Sequence, residues 1–515
     1  MDETAFRKLK KLTEEKLSVL LISEGTYPFY GGGISTWSHM LCERVSNVDW
    51  TLYSINAGFE PEPIFKLSPS VKEVIQVPLW APDEPQDYMS FSQDYYKVVN
   101  RKEFTTPMVI KERFVPIFEK FLQLVYDETT NMRMLDMVFY EMWEYFQQYD
   151  YKETMQDRTV WEVFKNEATH ETDGDGSFAA TLFDITVGLR WLYRFFIPFS
   201  IPIPKTDICH ITLSGFPLIP ALVLKYRYGT PLMITEHGVY VRERLLYINR
   251  SDYSYFIKDF LIKLTEAVTR LSYYKADKIL SVNKFNITWE LMYGASKDKI
   301  EITYNGVDHE KFAPRDKPDH LKGIPTVVAA ARIFELKDVL TMIRSCAVVR
   351  EKIPNVQYLV YGDKNAVPEY TKKCEDLIRE LKLENNFFLK GYHSQPHLIF
   401  SEGDISILTS ISEGFPFTVL ESMSCGVPVV ATDVGGVAEA IDAGSGFVCK
   451  PRDPKAIGEK VVELLTNTEL RESMSKHGRQ RVIDNFTLEI FIDSYERIYN
   501  EVHARQKTKT KALAQ

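Results

Sequence analysis

Two glutamates eight positions apart, Glu413 and Glu421, are the first residues of this 515-residue chain whose types and spacing suggest chemistry. They stand in Ser412-Glu413-Gly414-Phe415-Pro416-Phe417-Thr418-Val419-Leu420-Glu421, which follows the apolar run Ile405 to Leu408 and reads as a loop opening a helix. Carboxylates accept paired hydrogen bonds from vicinal hydroxyls, the groups that a sugar and a ribose present. Glu413 falls in the loop and Glu421 about one turn into the helix, so the two can contact different parts of one extended ligand. The helix N-terminus adds free N–H groups and partial positive charge, which suit a pyrophosphate at the carboxyl end of a parallel strand. The plainer reading is a helix cap and an ordinary surface residue, because Glu is common in first helical turns. The companions weigh against it. Ser410, the strand entry Gly426-Val427-Pro428-Val429-Val430-Ala431-Thr432 and the loop Gly435-Gly436-Val437-Ala438-Glu439 all fit a close backbone approach to a ligand.

The elements that must position these groups alternate in type. From about residue 296, short β-branched runs alternate with stretches of helical period, the pattern of a parallel sheet wrapped by helices. Strands are predicted at Thr326 to Ala331, Val356 to Tyr361, Phe387 to Leu389, Ile405 to Leu408, Val427 to Ala431 and Gly446 to Cys449. Helices are predicted at Val339 to Glu351, at Tyr370 to Leu381 and from the Asp453-Pro454 cap pair through Leu465. The N-terminal half opens the same way, with a strand at Leu17 to Ile22, the loop Glu24-Gly25-Thr26-Tyr27-Pro28, the triplet Gly31-Gly32-Gly33 and a helix from about Ser35. Further strands are expected at Trp50 to Ile55, Val71 to Val77, Ile208 to Ile211, Leu232 to Thr235 and Lys278 to Val282, with a long helix over Tyr253 to Ala276. Residues 85 to 200, rich in aromatic and acidic side chains at helical spacing, read as a helical insertion. The predicted organisation is a first Rossmann-like domain over 1–295, a second over 296–485, a helix over 486–505 crossing back to the first, and a disordered tail over 506–515. A linker near Gly294 to Asp308 carries the turn signal Asn305-Gly306.

Bulk composition narrows the function classes. The hydrophobic fraction of 45% and charged fraction of 26% belong to a globular chain long enough for two domains. A net charge of −9 argues against a nucleic-acid surface, which needs clustered Lys and Arg. No apolar run approaches a membrane span and the N-terminus lacks a signal-peptide core, so a cytoplasmic location is expected. The six cysteines, Cys42, Cys209, Cys346, Cys374, Cys425 and Cys449, form no C-x-x-C pair and read as reduced, mostly buried thiols.

The stretch from Glu413 to Glu421, followed by Pro428-Val429-Val430-Ala431-Thr432-Asp433-Val434-Gly435-Gly436, resembles the E-x7-E region of retaining GT-B glycosyltransferases of family four. Glu24 to Trp37 and Thr235 to Glu243 narrow the resemblance to the subgroup of Pel exopolysaccharide systems, and it covers nearly the whole chain. It implies two doubly wound Rossmann-like domains facing a cleft, with the acceptor on the N-terminal side, a UDP-sugar donor on the C-terminal side, and retention at the anomeric carbon. By the same resemblance Glu413 contacts the donor sugar near its reacting face, and Glu421 holds the ribose hydroxyls. Backbone N–H groups around Gly414, Phe415, Pro416, Phe417 and Thr418 hold sugar oxygens and the pyrophosphate. Arg332 and Lys337 match the R-x4-K pair that neutralises the diphosphate leaving group, a spacing that lets two long cations converge; a solvated surface pair is the plainer alternative. Gly32 and Gly33 resemble the glycine loop that admits donor or acceptor, and His237 the histidine that hydrogen-bonds the donor hexose. A flexible turn and a structural histidine are the bland readings of these two. Gly391-Tyr392 occupies the base-binding position. Partners implied by family context alone are the UDP-sugar, a saccharide acceptor and membrane-embedded polysaccharide synthase subunits, which would place the protein peripherally at the inner face of the membrane.

Two motifs mislead. Asp173-Gly174-Asp175 has the D-x-D form of a metal-dependent glycosyltransferase, but it lies in a polar loop far from any glycine loop or strand end and reads as a turn. As a calcium loop counted from Glu171 it ends on Leu182 in place of a bidentate Glu. No catalytic metal and no cofactor are expected. The aromatic and basic stretch Arg190 to Phe199 fits a membrane surface, although burial within the insertion is favoured. The rival functions are a sugar-nucleotide 2-epimerase on the same architecture and a non-catalytic scaffold of a polysaccharide secretion complex.

Overall fold

The computed structural model describes residues 16–60, 62–85, 89, 94–127, 131–170 and 180–513. The chain divides into two compact units, each built on its own parallel sheet. The first sheet comprises β1 (Leu17–Glu24), β2 (Val48–Asn56), β3 (Val71–Pro78), β4 (Ile208–Ile211), β5 (Leu232–Glu236), β6 (Lys278–Ser281) and β7 (Ile300–Ile302), in the order β3-β2-β1-β4-β5-β6-β7. The β1–β2, β2–β3, β1–β4 and β4–β5 pairs are parallel. β1 reads as a nearly unbroken apolar run because helices cover both faces of a parallel sheet, and six of its eight residues are buried. Strand order reverses between β1 and β4, which makes their carboxyl ends the switch point where such sheets take ligands. Helix α1 (Gly33–Arg44) follows β1, and α2 (Tyr240–Arg250) follows β5.

The helical insertion stands between β3 and β4, with helices over Tyr95–Phe104, Val115–Tyr126, Met132–Gln148, Arg158–His170 and Leu182–Phe196. Its interior is aromatic: Phe121 meets Phe196 edge to face at 5.2 Å and Phe139 at 5.7 Å. Thr181 and Asp184 form a complete capping box that starts the Leu182–Phe196 helix. Leu192 through Phe199 are buried within this insertion, and Arg194 reaches Glu84 at 3.3 Å. That stretch is therefore interior packing and not a membrane-facing surface. The D-x-D residues Asp173 and Asp175 lie outside the described residues.

The second sheet has β8 (Thr326–Ala330), β9 (Gln357–Tyr361), β10 (Phe387–Gly391), β11 (Ile405–Leu408), β12 (Val429–Thr432) and β13 (Gly446–Cys449), ordered β10-β9-β8-β11-β12-β13 with every pair parallel. Its switch point falls between β8 and β11. Helix α3 (Val339–Lys352) follows β8, and α4 (Phe417–Ser424) follows β11. The helix over Thr468–Asn485, which the sequence reading did not single out, is largely polar and buries only Met474, Gly478 and Val482, too narrow a stripe to show as amphipathic.

The unit boundaries differ from those read in the sequence. The first unit runs to Leu280, resumes over Thr288–Glu301 and ends with Tyr495 onward, while Ser281–Ile287 and Ile302–Ser494 belong to the second. β7 extends the first sheet to Ile302, past the boundary expected at 295, and Asn283 and Lys284 hydrogen-bond within the second unit. The last helix, α5 (Leu488–Leu513), continues through the segment expected to be a disordered tail. In the first unit its Tyr499 hydroxyl meets His210 Nδ1 at 2.7 Å, and Tyr495 accepts from Trp37 Nε1 at 3.2 Å. All six cysteines are buried and unbridged. Among the described residues no helix is long and apolar enough to cross a membrane.

Candidate active site

In the second unit the switch point brings two loops together. The loop after β8 carries Arg332 and Lys337, and the loop after the adjacent strand β11 carries Glu413. Hydrogen bonds fasten one to the other: Ile411 N–H donates to the Leu336 carbonyl at 2.9 Å, and the Thr409 hydroxyl lies 3.0 Å from the carbonyls of both Lys337 and Asp338. Asp338 turns the chain with a left-handed φ of 44° and caps α3 by accepting from Thr341. Lys337 Nζ then stands 2.5 Å from Glu413 Oε1, and the Ser410 hydroxyl donates to the same oxygen at 2.5 Å. Arg332 is exposed, its guanidinium 5.0 Å from the centre of the Phe334 ring.

The Glu413–Thr418 loop is pinned along its backbone. The Gly414 carbonyl accepts from Gly436 N–H at 2.7 Å and from Asn283 Nδ2 at 3.0 Å; the Phe415 carbonyl accepts from Asn305 Nδ2 at 2.7 Å. Gly435, at φ 55°, sits so close to the Glu413 carbonyl that any Cβ would collide with it. The close approach that Gly435 and Gly436 permit is therefore to this loop, where the sequence reading had a ligand. Glu439 also serves the protein, accepting from Lys284 N–H at 2.7 Å and from the Tyr304 hydroxyl at 3.0 Å. The Phe415 ring is buried between Tyr304 at 4.8 Å and Phe486 at 5.3 Å, which limits Phe415 to backbone contacts with any ligand. Pro416 stands at the N-cap of α4 without a side-chain cap, so the first-turn N–H groups of Phe417 and Thr418 face no capping side chain.

Glu421 is half-buried on α4. Desolvation pushes its carboxyl up to about 7, with the nearby Lys311 ammonium opposing part of that rise. Tyr392 follows Gly391, whose φ is 81°, at the end of the edge strand β10, and the residue is 80% exposed, so its ring is available for stacking.

The first unit gathers a second set at the carboxyl ends of its strands. Gly32 has φ 152° and open space where a Cβ would stand, and Gly33 begins α1. His237, just past β5, packs edge-on against Trp37 at 4.5 Å; burial pushes its ring down to about 3, so it is neutral, and Nε2 is shielded from solvent without a hydrogen-bond partner. Glu236 accepts from Tyr273 at 3.1 Å, and burial pushes its carboxyl up to about 8. Tyr240 lies over Gly215 and Glu243 against Gly238, where the two glycines leave room. Glu24 ends β1; burial raises its carboxyl above the usual range, opposed by Arg244 and by a bond from the Phe216 backbone. Sequence reasoning assigned no role to Asn283 or Thr409, read Asn305 only as part of a turn signal, and named Glu24 only as the start of a motif. The bonds that Asn283, Asn305 and Thr409 make span 131, 110 and 72 residues, and no local pattern signals them. Among the described residues no three His, Cys, Asp or Glu side chains converge as a metal site.

The family model described as Domain of unknown function (DUF3492) matches residues 17–298, and the model described as Glycosyl transferases group 1 matches residues 311–481. The N-acetyl-alpha-D-glucosaminyl L-malate synthase of Bacillus anthracis is 28% identical over 230 residues, covering 43% of this chain and 58% of its own length. The 2-deoxystreptamine N-acetyl-D-glucosaminyltransferase of Niallia circulans is 25% identical over 309 residues, 58% of this chain and 77% of its own. The chain thus spans little more than half the length of the first of these relatives. Among solved structures, sucrose-phosphate synthase from Thermosynechococcus elongatus matches with a TM-score of 0.60 at 15% identity, over 95% of this chain and 100% of that one. Anabaena Alr3699/HepE in complex with UDP-glucose matches with a TM-score of 0.58 at 13% identity, over 94% and 100%. At these identities the structural matches establish the fold, GT-B, and nothing finer.

Proposed function

We propose, for a chain that belongs to the DUF3492 family and has the GT-B fold, that it is a glycosyltransferase moving a hexose or hexosamine from a UDP-sugar to a saccharide acceptor, with retention at the anomeric carbon. The observation that carries the reading is the meeting of Lys337 and Glu413 at the β8/β11 switch point, with the uncapped start of α4 and the Glu421 carboxyl on the same helix. A cation, free N–H groups and two carboxylates are what a pyrophosphate joining a ribose to a hexose requires. Lys337 and Arg332 stabilise the charge that develops on the diphosphate as its bond to C1 breaks. Glu421 accepts from the ribose hydroxyls and Glu413 from the hexose. In the first unit the neutral His237, whose buried Nε2 lacks a hydrogen-bond partner, is assigned a sugar hydroxyl by the family resemblance alone. In the front-face route the acceptor oxygen bonds to C1 on the face that the diphosphate leaves, and its proton passes to the departing phosphate oxygen. The finer reading is a PelF-like enzyme extending a Pel-type exopolysaccharide alongside membrane-embedded synthase subunits, supported by the motifs from Glu24 to Trp37 and Thr235 to Glu243.

Donor binding needs no divalent cation in this reading, since Arg332, Lys337 and the helix start supply the positive field. Calorimetry with UDP in EDTA is expected to show binding; binding that appears only with added Mn²⁺ or Mg²⁺ refutes the assignment. A 2-epimerase would instead release an altered nucleotide sugar without acceptor, which chromatography after incubation with donor alone detects.

A further inference from the structure

Lys337 and Glu413 each have two claims on them. The donor reading gives the ammonium to the diphosphate and the carboxylate to the hexose, yet in the protein the two hold each other, Nζ to Oε1 at 2.5 Å, with side chains only 22% and 9% exposed. We propose that Glu413 and the donor's diphosphate compete for Lys337, and that Ser410 keeps Glu413 in place once the diphosphate takes the lysine. The inference rests on the donor assignment above.

The surroundings define what can move. The backbone around Lys337 is fixed by Thr409 on the Lys337 and Asp338 carbonyls and by Ile411 on Leu336. The Glu413–Gly414 backbone is fixed by Gly436 and Asn283. Exchange is therefore a swing of the lysine's flexible four-carbon stem and needs no loop movement. Ser410 is fully buried, and its carbonyl accepts from the Thr432 hydroxyl at 2.5 Å, so its own hydroxyl is a stationary donor to Glu413 Oε1. Without that bond, a Glu413 abandoned by Lys337 would keep no side-chain hydrogen bond among the described residues to orient it, at the moment when its second oxygen must meet the sugar. Ser410 is thus a positioning residue, acting through Glu413.

The consequence runs against a simple division of roles, in which altering Glu413 leaves UDP affinity unchanged. Removing the competitor frees Lys337, so Glu413→Gln is expected to bind UDP about two- to fivefold more tightly, the scale of a partly exposed ion pair. Loss of a negative charge also relieves repulsion of the diphosphate, and a double-mutant cycle separates the two effects. In a Lys337→Met background Glu413→Gln should tighten UDP binding by clearly less. Ser410→Ala is expected to leave the UDP dissociation constant within about twofold of wild type while slowing UDP release from UDP-glucose by about tenfold, and Ser410→Thr, which keeps the hydroxyl, to recover most of the rate. Calorimetry with UDP on the full chain and its variants, each first checked by thermal melting, reads the first set; turnover reads the second. Equal tightening with and without Lys337, or no tightening at all, overturns the competition while leaving the donor assignment standing. A Ser410→Ala variant with normal turnover, or a Ser410→Thr variant that folds yet stays as slow as Ser410→Ala, overturns the positioning role. Wild-type protein that binds no UDP overturns the donor assignment and this inference with it.

Discussion

Replacing Glu421 by glutamine should remove a pH dependence from donor binding. In the free protein desolvation holds the Glu421 carboxyl near 7, against an ordinary 4.5. A protonated carboxyl offers a diol fewer acceptor positions than a carboxylate, so a bound ribose favours ionisation and draws the group down toward its usual range. Affinity for a UDP-sugar must then rise with pH. With a free value near 7, the ionised fraction grows from roughly a tenth at pH 6 to roughly nine tenths at pH 8, which gives about a tenfold gain in affinity, or about 1.4 kcal/mol. UDP-glucose is the suitable probe, because its doubly esterified diphosphate does not titrate in this range as the terminal phosphate of UDP does. Dissociation constants measured calorimetrically at several pH values should show the rise in wild type and a flat profile in Glu421→Gln. Stability carries the opposite sign. A carboxyl whose folded value lies above its unfolded one is favoured when protonated, so its contribution is largest below about pH 4.5 and falls as pH rises toward 7, by up to about 3 kcal/mol in all. Glutamine should flatten that slope as well. A wild-type affinity that is constant from pH 6 to 8, or a rise that persists unchanged in Glu421→Gln, would refute the placement of this carboxyl on the ribose.

Three further outcomes follow from the same structure. Glu413→Ala should lower turnover by on the order of 100-fold, comparable to removing one stabiliser of developing charge, as read by UDP release; normal turnover removes Glu413 from the site. Gly435→Ala places a methyl group against the Glu413 carbonyl at a left-handed φ of 55°, so the Glu413–Thr418 loop must shift. A melting temperature lower by several degrees with UDP binding lost is expected, and a variant that binds UDP normally contradicts the close packing described here. Tyr499→Phe withdraws the hydroxyl from the fully buried, neutral His210, whose other nitrogen meets Thr235 at 2.7 Å; urea unfolding should show a loss of about 1 to 3 kcal/mol, and an unchanged midpoint would show that the bond carries no net stability.

The sequence alone determined the parts of this protein whose signals are local. Parallel strands such as Leu17–Glu24 and Ile405–Leu408 announce themselves as short apolar runs, because strands covered on both faces have no polar side to alternate. The positions of Arg332, Lys337, Glu413 and Glu421 after strand ends were legible too, since a strand, its loop and the next helix are contiguous in the chain. Tertiary structure decided what these groups do to one another. That Lys337 and Ser410 share one oxygen of Glu413, that Asn283 holds Gly414 from 131 residues away, and that Gly435 and Gly436 admit a neighbouring loop in place of a ligand leave no periodicity to read. The same holds for the unit boundary, moved by a three-residue edge strand too short to stand out, and for the Glu421 carboxyl, whose rise to about 7 comes from desolvation by the folded chain around it. Side-chain type and local period are written residue by residue; burial and partnership at long separation arise only when the chain closes on itself, because each depends on atoms contributed from elsewhere in the sequence.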